Sequence, residues 1–153
     1  MIKRIGITLL LALLFFAPLP ASAAERGTAE EAQALVEKAI ARYKEVGAEK
    51  TFAEINAPGG TFVDRDLYVF VIGPSPDRKI IAHGGDKSRI GMTLVGEVDV
   101  DGKAFGDEMI AASAEGNWVD YKWMNYTTKK AEPKKSFVKN VDGYVFGAGY
   151  YSP

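Results

Sequence analysis

The sequence predicts an α+β domain in which a long N-terminal helix packs on an antiparallel sheet of about five strands. Apolar residues at helical spacing occupy residues 28–47, whereas segments rich in β-branched and aromatic residues make up most of the remainder. The chain has 153 residues and contains neither an internal repeat nor a low-complexity linker, which indicates a single domain.

The first helix is predicted by its capping residues and by its apolar face. Thr28 and Glu31 form a capping box, in which each side chain satisfies a backbone amide at the helix start. The apolar face consists of residues at helical spacing: Ala32, Leu35, Val36, Ala39, Ile40 and Tyr43. Gly47 is expected to end this helix, and a second capping box at 51–54 predicts a short helix that ends at 57–60.

The strands are predicted by composition and alternation. The segments concerned are 62–72, 79–83, 117–124, 136–141 and 144–151. Strand periodicity places Tyr68, Phe70 and Ile72 on one face of the first segment.

The connections between the strands indicate which layer covers which face of the sheet. Asp142-Gly143 predicts a two-residue hairpin turn between the last two strands. Residues 84–101 are expected to form a loop, and residues 103–114 a helix. The N-terminal helix would therefore cover one face of the sheet, and the middle region would cover the other.

Residues 1–23 have the pattern of a secretory signal peptide. Lys3 and Arg4 precede an apolar run at 5–17, and Ala21-Ser22-Ala23 offers a small-residue cleavage site. Thirteen apolar residues are too few to span a bilayer, although a retained N-terminal anchor is the alternative. Cleavage leaves residues 24–153 as one exported domain, which we expect to be secreted, in a bacterial periplasm, and not embedded in a membrane.

The composition of the exported part argues against several classes of protein. Residues 24–153 carry a net charge of −3, which disfavours nucleic-acid binding. The chain has no cysteine, so thiol chemistry and c-type haem attachment are excluded. His83 is the one histidine, and no nucleophile-elbow motif accompanies it, so we expect neither an enzyme nor a metal centre nor a cofactor. His83 is interpreted as a structural residue at a strand end or as a ligand contact at a pocket mouth.

The segment 97–108 has the acid spacing of a calcium loop. Acidic residues occupy positions 1, 3, 5 and 12 of this twelve-residue segment, and Gly102 occupies position 6. Glu97 stands at position 1, where the shorter Asp is usual, and Ala104 replaces the larger aliphatic residue of position 8. The favoured interpretation is an acidic turn that caps the helix beginning at Lys103, with calcium binding as the alternative.

The segment 118–139 combines both tryptophans of the chain with six lysines. On a strand, Val119, Tyr121 and Trp123 share one face, as in a half-buried core strand or in the wall of a ligand pocket. The lysines of 127–135 are expected in a solvated turn. A pocket for a small anion, with aromatic walls and one lysine as counter-charge, fits this exported acidic chain better than a nucleic-acid surface does.

An ordered set of stretches covers nearly the whole chain after residue 23: FVDRDLYVFV (62–71), IAH (81–83), IG (90–91), DVDGK (99–103), GNWVDYKW (116–123), KKSFVK (134–139) and VFGAGYY (145–151). Together they resemble the single Cache domain family, second type. The resemblance implies an extracytoplasmic sensory module with a long N-terminal helix on a PAS-like antiparallel sheet. This chain departs from the family pattern at Tyr126 and Phe137, which stand where the family often has Pro and Tyr.

The resemblance also implies a binding site. Cache domains hold small metabolites, often short carboxylates or amino-acid-like ligands, between the sheet and the loops that cover it. The matching positions of this chain are Tyr68, Phe70, His83, Tyr121, Trp123 and Lys134. Lys135 is nearly as good a candidate as Lys134 for the cation beside the ligand.

Cache domains usually precede a membrane-bound kinase, cyclase or chemoreceptor. This sequence stops at Pro153, just after the last predicted strand, so we expect a stand-alone sensor without an output domain. Such a sensor would bind a small organic anion and act with a membrane receptor or kinase partner. A structural or protein-interaction module that has kept the fold and lost the ligand is the alternative.

Overall fold

The computed structural model of the protein describes residues 26–152. The expected signal peptide, residues 1–23, lies outside these described residues. Between residues 26 and 152, no helix is long and apolar enough to cross a membrane.

The described residues form three α-helices and six β-strands. The helices are α1 (Ala29–Val46), α2 (Ala48–Ile55) and α3 (Phe105–Ile110). The strands are β1 (Val63–Asp64), β2 (Leu67–Ile72), β3 (Ile80–His83), β4 (Asn117–Asn125), β5 (Lys130–Val141) and β6 (Tyr144–Tyr151).

The sheet is antiparallel throughout, and strand β6 lies at its centre. The main order is β3-β2-β6-β5-β4, and the two-residue strand β1 pairs with the start of β2. Strand β1 is separate because the segment 62–72 makes a tight turn at Arg65, whose φ is 56°. The α+β prediction with about five antiparallel strands is therefore confirmed, with one short strand in addition.

Two apolar layers cover the two faces of the sheet. Helix α1 packs on β6, β5 and β2 through Leu35, Val36 and Ile40, which meet Val69 and Phe146 in one buried cluster. A second cluster lies on the opposite face, between the sheet and the region 84–116, which we call the covering segment. Its residues from the covering segment are Leu94, Phe105, Met109, Ile110 and Ala112. The predicted division between helix and covering segment is confirmed.

The structure confirms the predicted start of the first helix and the predicted turn between the last two strands. Thr28 Oγ1 accepts from the Glu31 amide at 3.3 Å, and Glu31 Oε2 accepts from the Thr28 amide at 2.9 Å, so the capping box is formed. Asp142 and Gly143 have φ values of 53° and 85°, as a two-residue hairpin turn requires.

Two helix boundaries differ from the prediction. Helix α2 begins at Ala48, and Thr51 lies inside it, where its hydroxyl donates to the Gly47 carbonyl at 2.9 Å instead of capping the helix. The helix predicted at 103–114 is confined to α3, since the Asn140 amide of β5 donates to the Ser113 carbonyl and holds this part of the chain beside the sheet.

The prediction of a solvated turn at 127–135 is wrong for most of these residues. Strand β5 already begins at Lys130, which is paired with Asn125 of β4, and the ladder continues from there to Asn117 opposite Val138. Lys134 is consequently a strand residue with a buried side chain, whereas Lys129 and its neighbours form the turn. Pairing with β4 and β6 outweighs the polar composition of this stretch.

Gly147 on β6 gives room to an aromatic ring of the neighbouring strand. It is paired with Phe70 of β2, and a Cβ atom at residue 147 would collide with the Phe70 ring. The absence of a side chain on the central strand therefore lets Phe70 lie over β6, within the second apolar cluster.

We predict that Gly147→Ala destabilises the protein by about 1–3 kcal/mol, because the added methyl group displaces a packed ring. Urea unfolding followed by circular dichroism measures the change. In a Phe70→Leu background the same substitution should cost clearly less, since the leucine side chain leaves the colliding position. An equal cost in both backgrounds would show that the close contact with Phe70 is not the cause.

Candidate ligand-binding site

A cavity lies between the sheet and the covering segment. It measures about 300 Å³ including its open mouth, and closely packed side chains leave little of this volume in the interior. The residues around it are Tyr68, Phe70, Ile80, His83, Arg89, Leu94, Glu97, Phe105, Met109, Tyr121 and Trp123. Its walls are thus mainly aromatic and aliphatic, with a few polar groups, as in sites for small organic molecules.

Five of the six predicted site residues meet at this cavity, and strand geometry explains why. Tyr68 and Phe70 are two residues apart on β2, and His83 of β3 lies directly opposite Phe70. Tyr121 and Trp123 occupy the corresponding face of β4. Alternation along each strand therefore aims all five side chains at the same space.

The aromatic side chains pack against one another and against helix α3. Phe105 stacks on Tyr121 with ring centroids 4.5 Å apart, and it meets the edge of Trp123 at 5.4 Å. On the other side of the cavity, the Tyr68 and His83 rings are 4.9 Å apart. Phe105 was not among the predicted site residues, because only the folded chain brings α3 against β4.

Lys134, the sixth predicted residue, lies behind the cavity wall. Its side chain is 1% exposed, and Nζ donates to Tyr68 Oη at 2.7 Å and to Tyr151 Oη at 3.3 Å. A Cβ atom on Gly149 would lie 2.7 Å from Lys134 Cε, so the lysine crosses β6 where that strand has no side chain. Lys135 points to the opposite face and pairs with Asp120 at 2.8 Å, so the fold places only Lys134 near the cavity.

The environment of Lys134 favours its neutral form. Burial lowers the pKa of its amine well below the usual range, and the charge of Asp66 opposes this only in part. Within residues 26–152, no carboxylate forms an ion pair with Lys134. Burial also raises the pKa of the Tyr68 hydroxyl well above its usual range. The two groups consequently form a buried polar pair that would gain from a nearby negative charge.

His83 is held as a neutral ring with a defined tautomer. The Asp86 backbone amide donates to His83 Nδ1 at 2.8 Å, so the proton of the neutral imidazole is on Nε2. Burial is the main cause that lowers the pKa of His83 to about 3, and the positive charge of Arg89 adds to it. Nε2–H is therefore the donor that His83 offers to a molecule in the cavity.

The covering segment supplies an ion pair that the sequence patterns do not predict. Arg89 Nη2 donates to both carboxylate oxygens of Glu97, at 2.5 and 2.6 Å, and the two side chains are 15% and 19% exposed. The guanidinium carbon lies 5.0 Å from the centroid of the Trp123 ring. No sequence signal predicted a role for Arg89, because it lies in a stretch predicted as loop, where a cation has no periodic pattern.

Tyr126, which departs from the family pattern, is a second neighbour of the site. Its ring lies 5.6 Å from that of Tyr68, and its hydroxyl donates to Asp86 Oδ2 at 3.3 Å. It therefore helps to enclose Tyr68 and His83. Phe137, the other departure, packs on Trp118 on the helix side of the sheet, away from the cavity.

The acidic segment 97–108 is organised by protein donors. Asp99 accepts the amides of Asp101 and Lys103 through Oδ1 and the amide of Lys122 through Oδ2, at 2.9–3.0 Å. Asp101 and Glu108 form ion pairs with Lys122 and Lys103. Asp99 thus stabilises a turn, but it does not cap α3, which begins after Ala104 without a side-chain cap. Within residues 26–152, no cluster of three or more His, Cys, Asp or Glu side chains is placed to hold a metal.

The fold is shared with domains of chemotaxis proteins. A chemotaxis protein from Vibrio parahaemolyticus described as methyl-accepting has a TM-score of 0.65 at 21% identity, covering 80% of this chain and 86% of that one. A structure described as the periplasmic sensor domain of a chemotaxis protein has a TM-score of 0.58 at 26% identity, with 81% and 90% covered. A Cache chemosensory domain described in terms of carboxylic acid recognition has a TM-score of 0.65 at 21% identity, with 81% and 92% covered.

The family model for single Cache domain 2 matches residues 21–151. The chain therefore belongs to the single Cache domain 2 family, and it has the fold of the sensor domains of chemotaxis receptors. No curated protein matches the chain.

We predict that the neutral state of His83 makes stability fall in mild acid. In the unfolded chain His83 binds a proton near its ordinary pKa of 6.5, whereas in the folded chain His83 is protonated only near pH 3. Stability should therefore decrease as the pH falls below 6.5, with a His83 contribution of about 2 kcal/mol at pH 5. Urea unfolding of wild type and His83→Gln at pH 7, 6 and 5 measures it. Identical pH dependences would contradict the assignment, because His83 is the only histidine.

We predict that Lys134→Met stabilises the protein more at pH 7 than at pH 9.5. The lowered pKa of Lys134 means that the unfolded chain binds a proton that the folded chain disfavours, so the stability of the wild type rises with pH toward 10.5. Methionine does not bind a proton, so the variant lacks this contribution of residue 134 to the pH dependence of stability. Lys135→Met, at an exposed position of the same strand, is the matched control and should show no such pH dependence. A Lys134→Met effect equal at both pH values would argue against a buried neutral amine.

Proposed function

We propose that this chain is an extracytoplasmic sensor module that binds a short organic acid in the cavity between the sheet and the covering segment. The observation that carries the proposal is the convergence of aromatic walls with the Nε2–H of His83 and the hydroxyl of Tyr68, which is backed by the Lys134 amine. Membership of the single Cache domain 2 family and the likeness to a domain described for carboxylic acid recognition support the same conclusion.

The hydroxyl of Tyr68 is well placed to act between lysine and ligand. It accepts a hydrogen bond from Lys134 Nζ, and the nearby Tyr151 hydroxyl donates its own proton to the Met124 carbonyl at 2.7 Å. The Tyr68 proton is thus left for the weak 3.4 Å contact with Tyr151 or for a carboxylate in the cavity. A bound negative charge would favour the ammonium form of Lys134, so binding would be accompanied by proton uptake.

The same geometry favours binding over catalysis. The Nδ1 atom of His83 is occupied by the Asp86 amide, and no carboxylate of residues 26–152 orients the ring as a general base requires. Phe70, Tyr121 and Trp123 contribute apolar surface to the cavity. We therefore propose that the chain recognises its ligand without transforming it.

The proposed location rests on the sequence, and the proposed partner rests on the family resemblance. The segment 1–23 has the pattern of a cleaved signal peptide, which would deliver residues 24–153 to the periplasm. We propose that the module then acts with a membrane receptor or kinase. The alternative is a protein-interaction module with no ligand, which the tight packing of the cavity interior favours.

Thermal unfolding with a panel of short carboxylates tests the binding proposal. We expect at least one acid to raise the melting temperature by about 5–10 °C at a hundredfold excess over its dissociation constant. Trp123→Ala and Lys134→Met should abolish this increase, because they remove a wall and the amine behind Tyr68. Trp118→Ala is the matched control, since Trp118 lies on the other face of β4 against Phe137 and Tyr150 and should leave the increase unchanged.

The outcomes separate the two functions. If the folded wild type shows no increase with any acid in the panel, the sensor proposal is wrong and the interaction module is favoured. If an acid stabilises wild type and Trp123→Ala equally, the ligand binds elsewhere on the molecule.

A further inference from the structure

We propose that Arg89, together with the donors of the proposed site, binds the carboxylate of the ligand, and that Glu97 occupies the position of that carboxylate on Arg89 until the ligand displaces it. The inference rests on the proposed function, because it concerns the same cavity. Both residues belong to the covering segment and border the cavity from the side opposite the sheet. Neither is among the residues that the family resemblance assigned to the site.

The hydrogen bonds between Arg89 and Glu97 leave one donor of the guanidinium group unused. Arginine usually holds a carboxylate through two parallel N–H bonds, but here both Glu97 oxygens share the single nitrogen Nη2. Arg89 Nε is fully buried and has no hydrogen-bond partner within residues 26–152. Nε–H and one Nη2–H point from the same edge of the guanidinium group. A ligand carboxylate could therefore accept hydrogen bonds from both donors, which Glu97 does not do.

The guanidinium group would remain at the cavity when its partner changes. It lies 5.0 Å from the Trp123 centroid, and the attraction between a cation and an aromatic face holds it there independently of Glu97. A ligand carboxylate on Arg89 would have the Trp123 and Tyr121 rings beside it for its apolar part. The chemical class that fits is a small monocarboxylate with a short apolar chain.

The positive charge of Arg89 explains why the protein needs a carboxylate of its own at this position when no ligand is bound. Arg89 is largely buried, and a buried cation without a counter-ion is strongly unfavourable. Glu97 supplies the counter-ion, and a ligand carboxylate that replaces it keeps one negative group on Arg89 while Glu97 turns toward solvent. The intrinsic affinity is thereby masked: if the internal pair is formed in about 90–99% of molecules, the apparent dissociation constant is about 10–100 times the intrinsic one.

The experiment measures propionate binding by isothermal titration calorimetry, with propionamide as the uncharged analogue. Glu97→Gln should bind propionate at least about tenfold more tightly than wild type, since the competitor is gone. Arg89→Gln should lose detectable binding. The double variant Arg89→Gln/Glu97→Gln should bind no better than Arg89→Gln. Propionamide should show no gain with Glu97→Gln.

Two controls separate the specific effect from a general one. Asp101→Asn removes a negative charge from an exposed ion pair in the same segment and should leave propionate affinity unchanged. The double variant carries two neutral side chains in place of the ion pair, so it folds without an unpaired buried charge. Circular dichroism and melting temperature establish that each variant is folded.

The results decide between this inference and the proposed function. Equal affinity of wild type and Glu97→Gln, or a gain that persists in the double variant, overturns the inference. If wild type and Arg89→Gln bind propionate equally, the inference fails while the proposed function stands. If neither wild type nor Glu97→Gln binds any carboxylate of the panel, both fail together.

Discussion

Strand β6 is the element on which the rest of the structure depends. It hydrogen-bonds to β2 on one side and to β5 on the other, so it joins the strands that follow α2 to the C-terminal hairpin. Its face toward the cavity has no side chains at Gly147 and Gly149, and the neighbouring Phe70 and Lys134 cross it there. Because these crossings bring β2 and β5 side chains together, the cavity wall exists only when the complete sheet has formed.

Three buried polar groups near the cavity compensate for the loss of water in different ways. Lys134 has hydroxyl partners but no carboxylate, and its pKa is lowered, so it resists carrying a charge. Arg89 is paired with the carboxylate of Glu97, which belongs to the same covering segment. His83 remains neutral and presents Nε2–H. His83 and Arg89 line the cavity with donors and Lys134 lies behind its wall, so an anionic ligand is the kind of molecule that would satisfy the three groups together.

Local sequence patterns predicted most of the elements, and each error has an identifiable structural cause. The capping box at Thr28 and the turn at Asp142-Gly143 depend on neighbouring residues, so they were predicted correctly. Thr51 has the same local pattern as Thr28, but α1 ends at Val46 and α2 follows directly, which puts Thr51 within the helix. Residues 130–135 look like a polar turn, yet pairing with β4 makes them a strand. Contacts distant in sequence thus outweighed the local preference at residues 130–135, whereas at Thr51 the position of the preceding helix did so.

The sequence by itself determined the layers, the faces of the strands and the family, because periodicity of two and ordered motifs are properties of the chain alone. The family resemblance also identified the five wall residues, and alternation explains why the pairs on β2 and β4 each share a face. Only the tertiary structure decided between Lys134 and Lys135, because the direction of each side chain depends on the register of β5 with β6. Only it paired Arg89 with Glu97 above Trp123, because an ion pair between loop residues has no periodicity that a sequence can display.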